Sequence, residues 1–277
     1  MTKLTLKAVR SLASLALAMT AVQFAQAQTK PLDQLLARTG VSVTRFLDHL
    51  SDVRCHEGVL QEKLNQKGKI EDRVRSSFEY MVLSQNQGDE PMLYESRNAI
   101  REPHSKKNIS LLVTSGFATQ MLIFHPYYQS SFTFERLPDV NVNGKSYAQV
   151  HFQHIKGRPT PMALLLRGRE YPVSLAGVAL IDPDTGAIER VSTELGASME
   201  DLGLKSFRSD VEYSRIDLGP AKAYLLPAEA TVEVNTPRQH WKNVHRFSDY
   251  RLFSVSTTES VDVDKIKDVD KIKQKDQ

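Results

Sequence analysis

The chain has 277 residues, of which 40% are hydrophobic and 25% charged. Those proportions belong to a folded globular protein and argue against wholesale disorder, a collagen-like fibre or a multi-pass membrane protein. A single cysteine excludes an intrachain disulfide and any multi-cysteine zinc or iron–sulfur centre.

The first 27 residues read as an address rather than as fold. Lys3, Lys7 and Arg10 precede a mostly apolar run from Ser11 to Phe24, and Ala25-Gln26-Ala27 is an A-x-A cleavage site. This pattern predicts a secretory signal peptide, cleaved after Ala27, and a periplasmic destination. The apolar run is shorter than the roughly 20 residues that span a bilayer, and no later run reaches that length, so no transmembrane helix is expected in the mature chain. The leader carries three of the 36 basic residues and none of the 33 acidic ones, leaving 33 of each sign. The formal charge of +3 therefore does not mark a nucleic-acid-binding face.

Residues Pro31 to Asp52 follow a helical period through Leu32, Leu35, Leu36, Phe46, Leu47 and Leu50, with Gly40 as an interruption or break. The period then changes to two. Arg54 to Leu64 and Ile70 to Ser84 alternate around the turn Asn65–Lys69 and predict a long hairpin. Met92 to Ile100 is a third expected strand. Leu111 to Phe124 is apolar nearly all round and predicts a buried helix, stopped by His125-Pro126.

Strands dominate from Phe132 onward. Asn143-Gly144 is a hairpin turn signal, followed by an expected strand over Tyr147–Ile155. Gly177–Ile181 and Ala187–Val191 flank the turn Asp182-Pro-Asp-Thr-Gly186. Val211–Ile216, Tyr224–Val234 and Trp241–Phe253 complete the series. The expected fold is α+β, mainly β: an antiparallel sheet of about 10–11 strands, curved as an incompletely closed barrel around one or two helices. A single domain is expected over residues 28–256. Val261 to Gln277 holds five aspartates, five lysines and no aromatic residue, so residues 257–277 read as a charged, disordered tail.

No pattern in the sequence demands catalysis, a metal or a cofactor. His151 and His154 lie three apart in an expected strand and so face opposite sides. Trp241 and His245 share a face but are about 13 Å apart. Cys55 and His56 also point opposite ways, and a lone cysteine reads most simply as a buried apolar residue. Asp182-Pro-Asp184 lacks the further ligands of a calcium loop. A scattered hydrolase triad stays open only as a third-ranked reading. The constellation with functional weight is a set of large strand aromatics: Phe78, Tyr80, Phe132, Phe134, Phe152 and Trp241. They are the candidate lining of an apolar cavity for a lipid or acyl chain, with Phe134 and Trp241 expected at its mouth. The alternative is a filled core without a ligand.

The leading helix, the hairpin Arg54–Ser84, the hairpin Val178–Arg190 and the closing strand His245–Phe253 together resemble a periplasmic half-barrel superfamily. It includes the outer-membrane lipoprotein carrier and the sensor domain of sigma-factor regulators. The resemblance covers about Pro31 to Ser256 and rests on pattern, without an invariant motif. It implies a sheet of about eleven strands wrapped partly around helices, no catalytic residues, and a lipid, a lipidated protein or another cell-envelope protein as partner.

The leader pattern yields a direct expectation: the exported protein begins at Gln28. Mass analysis of protein from a periplasmic extract should find that N-terminus. Retention of Met1 in a membrane fraction is the contrary result.

Overall fold

The alternation that starts at Val53 becomes strand in the computed structural model, which describes residues 31–48, 50, 53–101, 116–166, 169–219 and 223–252. The expected leader, residues 111–115 of the second expected helix and the charged tail lie outside the described residues. Residues 31–48 form helix α1. The strands are β1 Val53–Leu64, β2 Ile70–Gln87, β3 Glu90–Arg101, β4 Phe132–Val142, β5 Lys145–His154, β6 Ala163–Leu166, β7 Arg169–Pro172, β8 Leu175–Ile181, β9 Ile188–Leu195, β10 Ser206–Asp217, β11 Ala223–Asn235 and β12 His240–Leu252. Ten of them make one antiparallel sheet in the order β3-β2-β1-β12-β11-β10-β9-β8-β5-β4, while β6 and β7 form a separate hairpin. The sheet has two free edges, β3 and β4, as an open barrel must.

Its curvature follows from distances. In a flat sheet β3 and β4 would lie about 43 Å apart, nine spacings of roughly 4.8 Å. Yet Phe117 lies against Arg97 of β3, while Phe124, only seven residues on, packs against Phe134 of β4 with ring centroids 5.5 Å apart. Both ends of the sheet therefore curl around one inner segment. The main core joins Leu35, Val43, Phe46 and Leu50 to this segment and to the inward faces of the strands. Among the described residues no helix is long and apolar enough to cross a membrane.

Two helical expectations need correction. Gly40 does not break α1. A Cβ there would stand 3.0 Å from Gln129 Nε2 and 3.2 Å from Pro126 Cγ, so the glycine admits a close neighbour. That neighbour is the one-turn helix α2, Pro126–Gln129, capped by His125 Nδ1 accepting from Tyr127 N–H. The described part of the expected Leu111–Phe124 helix is a turn followed by a 3-10 helix, Thr119–Phe124. Its burial was legible, since every residue from Gly116 to Phe124 is buried. Its helix type was not, because a segment apolar on all sides has no periodicity to read. The alternation of β11 also slips, at a bulge opposite Glu212/Tyr213 that accommodates Pro227 inside the sheet.

Two turns show what their residues are for. At the β4–β5 hairpin Asn143 and Gly144 both take positive φ, 52° and 82°, which matches the right-handed twist of the strands. At the β8–β9 turn Asp182 Oδ1 accepts from the Asp184 and Thr185 amides, and Gly186 at φ 73° passes against α1. A Cβ on Gly186 would lie 2.7 Å from the Arg38 carbonyl carbon.

These geometries predict unequal costs for one substitution. Gly186→Ala combines a left-handed backbone with a clash and should destabilise by about 2–4 kcal/mol. Gly144→Ala meets open space and should cost about 1 kcal/mol from backbone strain alone. Urea melts of the two variants should separate them, and equal costs would refute the Arg38 contact as the cause.

Candidate functional site

The concave face of the sheet is where a ligand or partner segment has apolar surface to meet, and the six predicted aromatics all sit on strands that build it. They do not converge on one place. Phe132, Phe134 and Phe152 form one cluster with Phe124, with Phe152 in edge-on contact at 5.8 Å from Phe124 and 6.1 Å from Phe132. Tyr80 belongs to a second cluster, 5.0 Å from Phe247, which in turn lies 5.8 Å from Phe117. Phe78 is buried on β2 opposite Glu57. Trp241 is buried on β12, where its Nε1–H donates to Gln239 Oε1 at 3.0 Å. Only Phe134 among the six is left half-exposed.

An open cleft lies elsewhere on the same interior. It measures about 1040 Å³ and runs between α1 and strands β5, β9, β10 and β11. Val43 and Phe46 of α1, Met121, Tyr147, Ile188 and Tyr224 give it an apolar floor. Arg45, Lys145, Asp182, Glu189 and Arg215 stand among its lining residues. Lys145 Nζ is 2.7 Å from Asp182 Oδ2. Partial burial works to raise the Asp182 carboxyl, but Lys145 and the Thr185 and Asp184 amides outweigh it and hold the group down at about 2. None of the six predicted aromatics lines this cleft. Its floor residues come from elements far apart in the chain, and the sequence signals for them were the helical period through Phe46, the apolar run that holds Met121 and the alternation of the strands.

Sequence reasoning also missed a charge network inside the barrel. Glu57 of β1, Arg97 of β3 and His245 of β12 meet with almost no access to water. Arg97 Nε and Nη2 donate to the two Glu57 oxygens at 2.5 and 3.0 Å, and His245 Nδ1 lies 2.8 Å from Glu57 Oε1. The guanidinium also covers the Tyr80 and Phe117 rings at 5.0 and 5.6 Å. Burial by itself would raise the Glu57 carboxyl, but hydrogen bonds from His245 and Arg97 and the Arg97 charge leave it below its ordinary range. Two residues back along β3, Glu95 accepts from the Gly116, Ala118 and Thr119 amides and the Thr119 hydroxyl, which anchors the start of the inner segment.

The remaining chemistry-bearing residues are placed as follows. Cys55 is buried, and burial pushes its thiol up to about 12, so it is inert as a nucleophile. His151 and His154 lie on a strand, facing opposite sides, and His154 Nδ1 is 3.3 Å from Ser174 Oγ. Among the described residues no three His, Cys, Asp or Glu side chains are grouped as metal ligands.

No family model matches the sequence, and no curated protein does. Among solved structures the chain is similar to a DUF1329 family protein from Desulfovibrio piger, at 14% identity, over 83% of this chain and 96% of that one, with a TM-score of 0.41. It is also similar to a LolA superfamily protein from Nitrosomonas europaea, at 11% identity, over 78% and 94% of the two chains, with a TM-score of 0.33. A chain of the MucA/MucB complex of Pseudomonas aeruginosa is similar over 78% of this chain and 99% of its own, at 11% identity and a TM-score of 0.19.

The charge network generates a prediction with a sign. Glu57→Gln leaves Arg97 buried without its counter-charge and should destabilise by about 3–5 kcal/mol. Because the folded Glu57 value is lowered, its contribution is complete above the ordinary carboxylate value of 4.5 and is lost as pH falls through the lowered one. The stability gap between wild type and Glu57→Gln, from urea melts, should therefore shrink as pH falls below the ordinary carboxylate value of 4.5. A gap that widens in acid would contradict the assignment.

Proposed function

We propose that this chain is an exported, non-enzymatic periplasmic binding protein that holds a lipid, acyl chain or acylated peptide against the inside of its open half-barrel. The observation that carries this reading is the cleft beside α1. Its volume of about 1040 Å³ stands at the upper end of the roughly 300–1,000 Å³ typical of small-molecule sites. Its apolar floor suits a hydrocarbon chain, and Arg45 among its lining suits an anionic head group, Lys145 being paired with Asp182 and Arg215 with Asp217. In this reading the cleft takes the place of the expected aromatic lining: Phe134 is half-exposed on β4, and Phe78, Tyr80, Phe132, Phe152 and Trp241 are buried, none of them at the cleft.

A second reading has its own support. Residues Phe117 to Phe124 fill the centre of the barrel and are buried throughout. A protein whose interior is occupied by its own chain can instead work as a structural or regulatory partner of another cell-envelope protein, with no small ligand.

Native mass spectrometry of protein purified from the periplasm separates the two, since a co-purifying lipid supports the first reading. The cleft is then tested by Ala223→Trp. Ala223 is an exposed lining residue, so the indole should occupy the cleft without disturbing the core. A fluorescent fatty-acid probe should bind this variant at least about ten-fold more weakly, a loss of about 1.4 kcal/mol, at an unchanged melting temperature. Absence of both lipid and probe binding in the wild type would leave the second reading standing.

A further inference from the structure

One row of side chains crosses the interior at right angles to the strands. Pairing places Gln61 of β1 opposite Asn243 of β12, Asn243 opposite Val232 of β11, Val232 opposite Ser209 of β10, and Ser209 opposite Thr193 of β9. The row is uncharged and polar at four of its five positions. Gln120 of the 3-10 helix hangs over it and donates from Nε2 to Ser209 Oγ at 2.9 Å. The flanking rows are more apolar without being wholly so: Val59, His245, Ala230 and Val211 on one, with Ser76 of β2 opposite Val59, and Lys63, Trp241, Val234 and Phe207 on the other.

Two members of this row, Gln61 and Thr193, lack side-chain partners among the described residues. Gln61 is 1% exposed, yet neither atom of its carboxamide has a hydrogen-bond partner among the described residues. Gln120 Oε1, Thr193 Oγ1 and, on β2 beside the row, Ser76 Oγ are orphaned in the same way. Buried polar groups without partners oppose folding, and an apolar residue at each position would remove that cost. Their presence on the buried face of the sheet points to a partner supplied from outside. An entrance lies close by. A second cleft, of about 460 Å³, is lined by Leu195 and Phe207. These residues sit two positions, about 7 Å, beyond Thr193 and Ser209 on the same strands. Both are half-buried and pack against the edge of the core.

We propose that the Gln61–Thr193 row is a closed polar subsite that takes an amide group of an acylated ligand, reached when Leu195 and Phe207 move aside. Carboxamides and hydroxyls offer donors and acceptors together. An amide uses both, an ester or a bare hydrocarbon chain does not, and the absence of charge in the row disfavours a carboxylate. The inference rests on the acyl-binding reading and specifies the linkage that such a ligand carries; the row lies toward the Leu195 and Phe207 ends of β9 and β10, away from the Ile188 and Arg215 ends that line the cleft beside α1, so the amide is held apart from that cleft.

A matched pair of probes tests it on the mature protein: one pyrene-labelled acyl chain, presented as its N-methyl amide and as its methyl ester. The two differ by one N–H. The wild type should bind the amide about ten-fold more tightly than the ester, the scale of one buried hydrogen bond. In Gln61→Met/Thr193→Val the two affinities should become equal, and the melting temperature should stay level or rise because orphaned polar atoms have gone. Equal affinities in the wild type would overturn the subsite and leave the acyl-binding reading intact. A drop in melting temperature of several degrees would also overturn it, since the row would then be holding structure. If neither probe binds the wild type, the acyl-binding reading falls and the subsite falls with it.

Discussion

Arg97 has to reach across β2 to find Glu57, and it does so inside the barrel, with only 7% of its side chain open to solvent. A buried guanidinium is tolerable only if a carboxylate meets it with good geometry, and the fork onto Glu57 supplies that. His245 adds a third group from β12, so one ion cluster ties β3, β1 and β12 together at a fixed depth. Phe117 lies on this cluster, 4.7 Å from the His245 ring. Glu95 then holds the amides that begin the inner segment. The position of Phe117 to Phe124 follows from these two carboxylates, and much of the core follows from that segment.

An open sheet needs something inside it. Closing the barrel would have removed the edges and left room only for side chains. Here the sheet stops at β3 and β4, and the interior is filled by helix α1 and the inner segment instead. The edge strand β4 carries Glu135, Arg136, Pro138 and Asp139, and its register breaks between Leu137 and Val140. Charge, proline and a bulge are the features that keep a free edge from pairing with another chain.

The filling is unequal, and that inequality shapes the functional reading. At the centre, Phe117, Leu122 and Phe124 are shut off from solvent. Between α1 and strands β5, β9, β10 and β11 an apolar floor stays open to solvent. Toward the far end, the polar row from Gln61 to Thr193 is shut, with Gln61 and Thr193 lacking side-chain partners among the described residues. A core selected for stability alone would have closed the first and made the second apolar, so these two regions are where function has most reason to act on the interior.

Period-two alternation was enough to locate nearly all of the strands and the β1–β2 hairpin, while the Asn143-Gly144 dipeptide marked its turn and the lone cysteine read as buried. Each of these depends on residues within a few positions of one another, and the pleat turns that local pattern directly into a buried and an exposed face. What each buried face meets came from the folded chain. Glu57 meets Arg97 and His245 across 40 and 188 residues of chain, and nothing near any of the three announces the others. Gln120 meets Ser209 across 89 residues. The large aromatics were legible as inward-facing, but their division into separate clusters depends on which strands the curl brings against Phe117 and which against Phe124. Gly40 looked like a helix break because its sequence neighbours do not reveal that Pro126 and Gln129 press against it. Local pattern sets which way a side chain points. Strand order and curvature set what it meets, and those depend on pairings that no stretch of sequence contains.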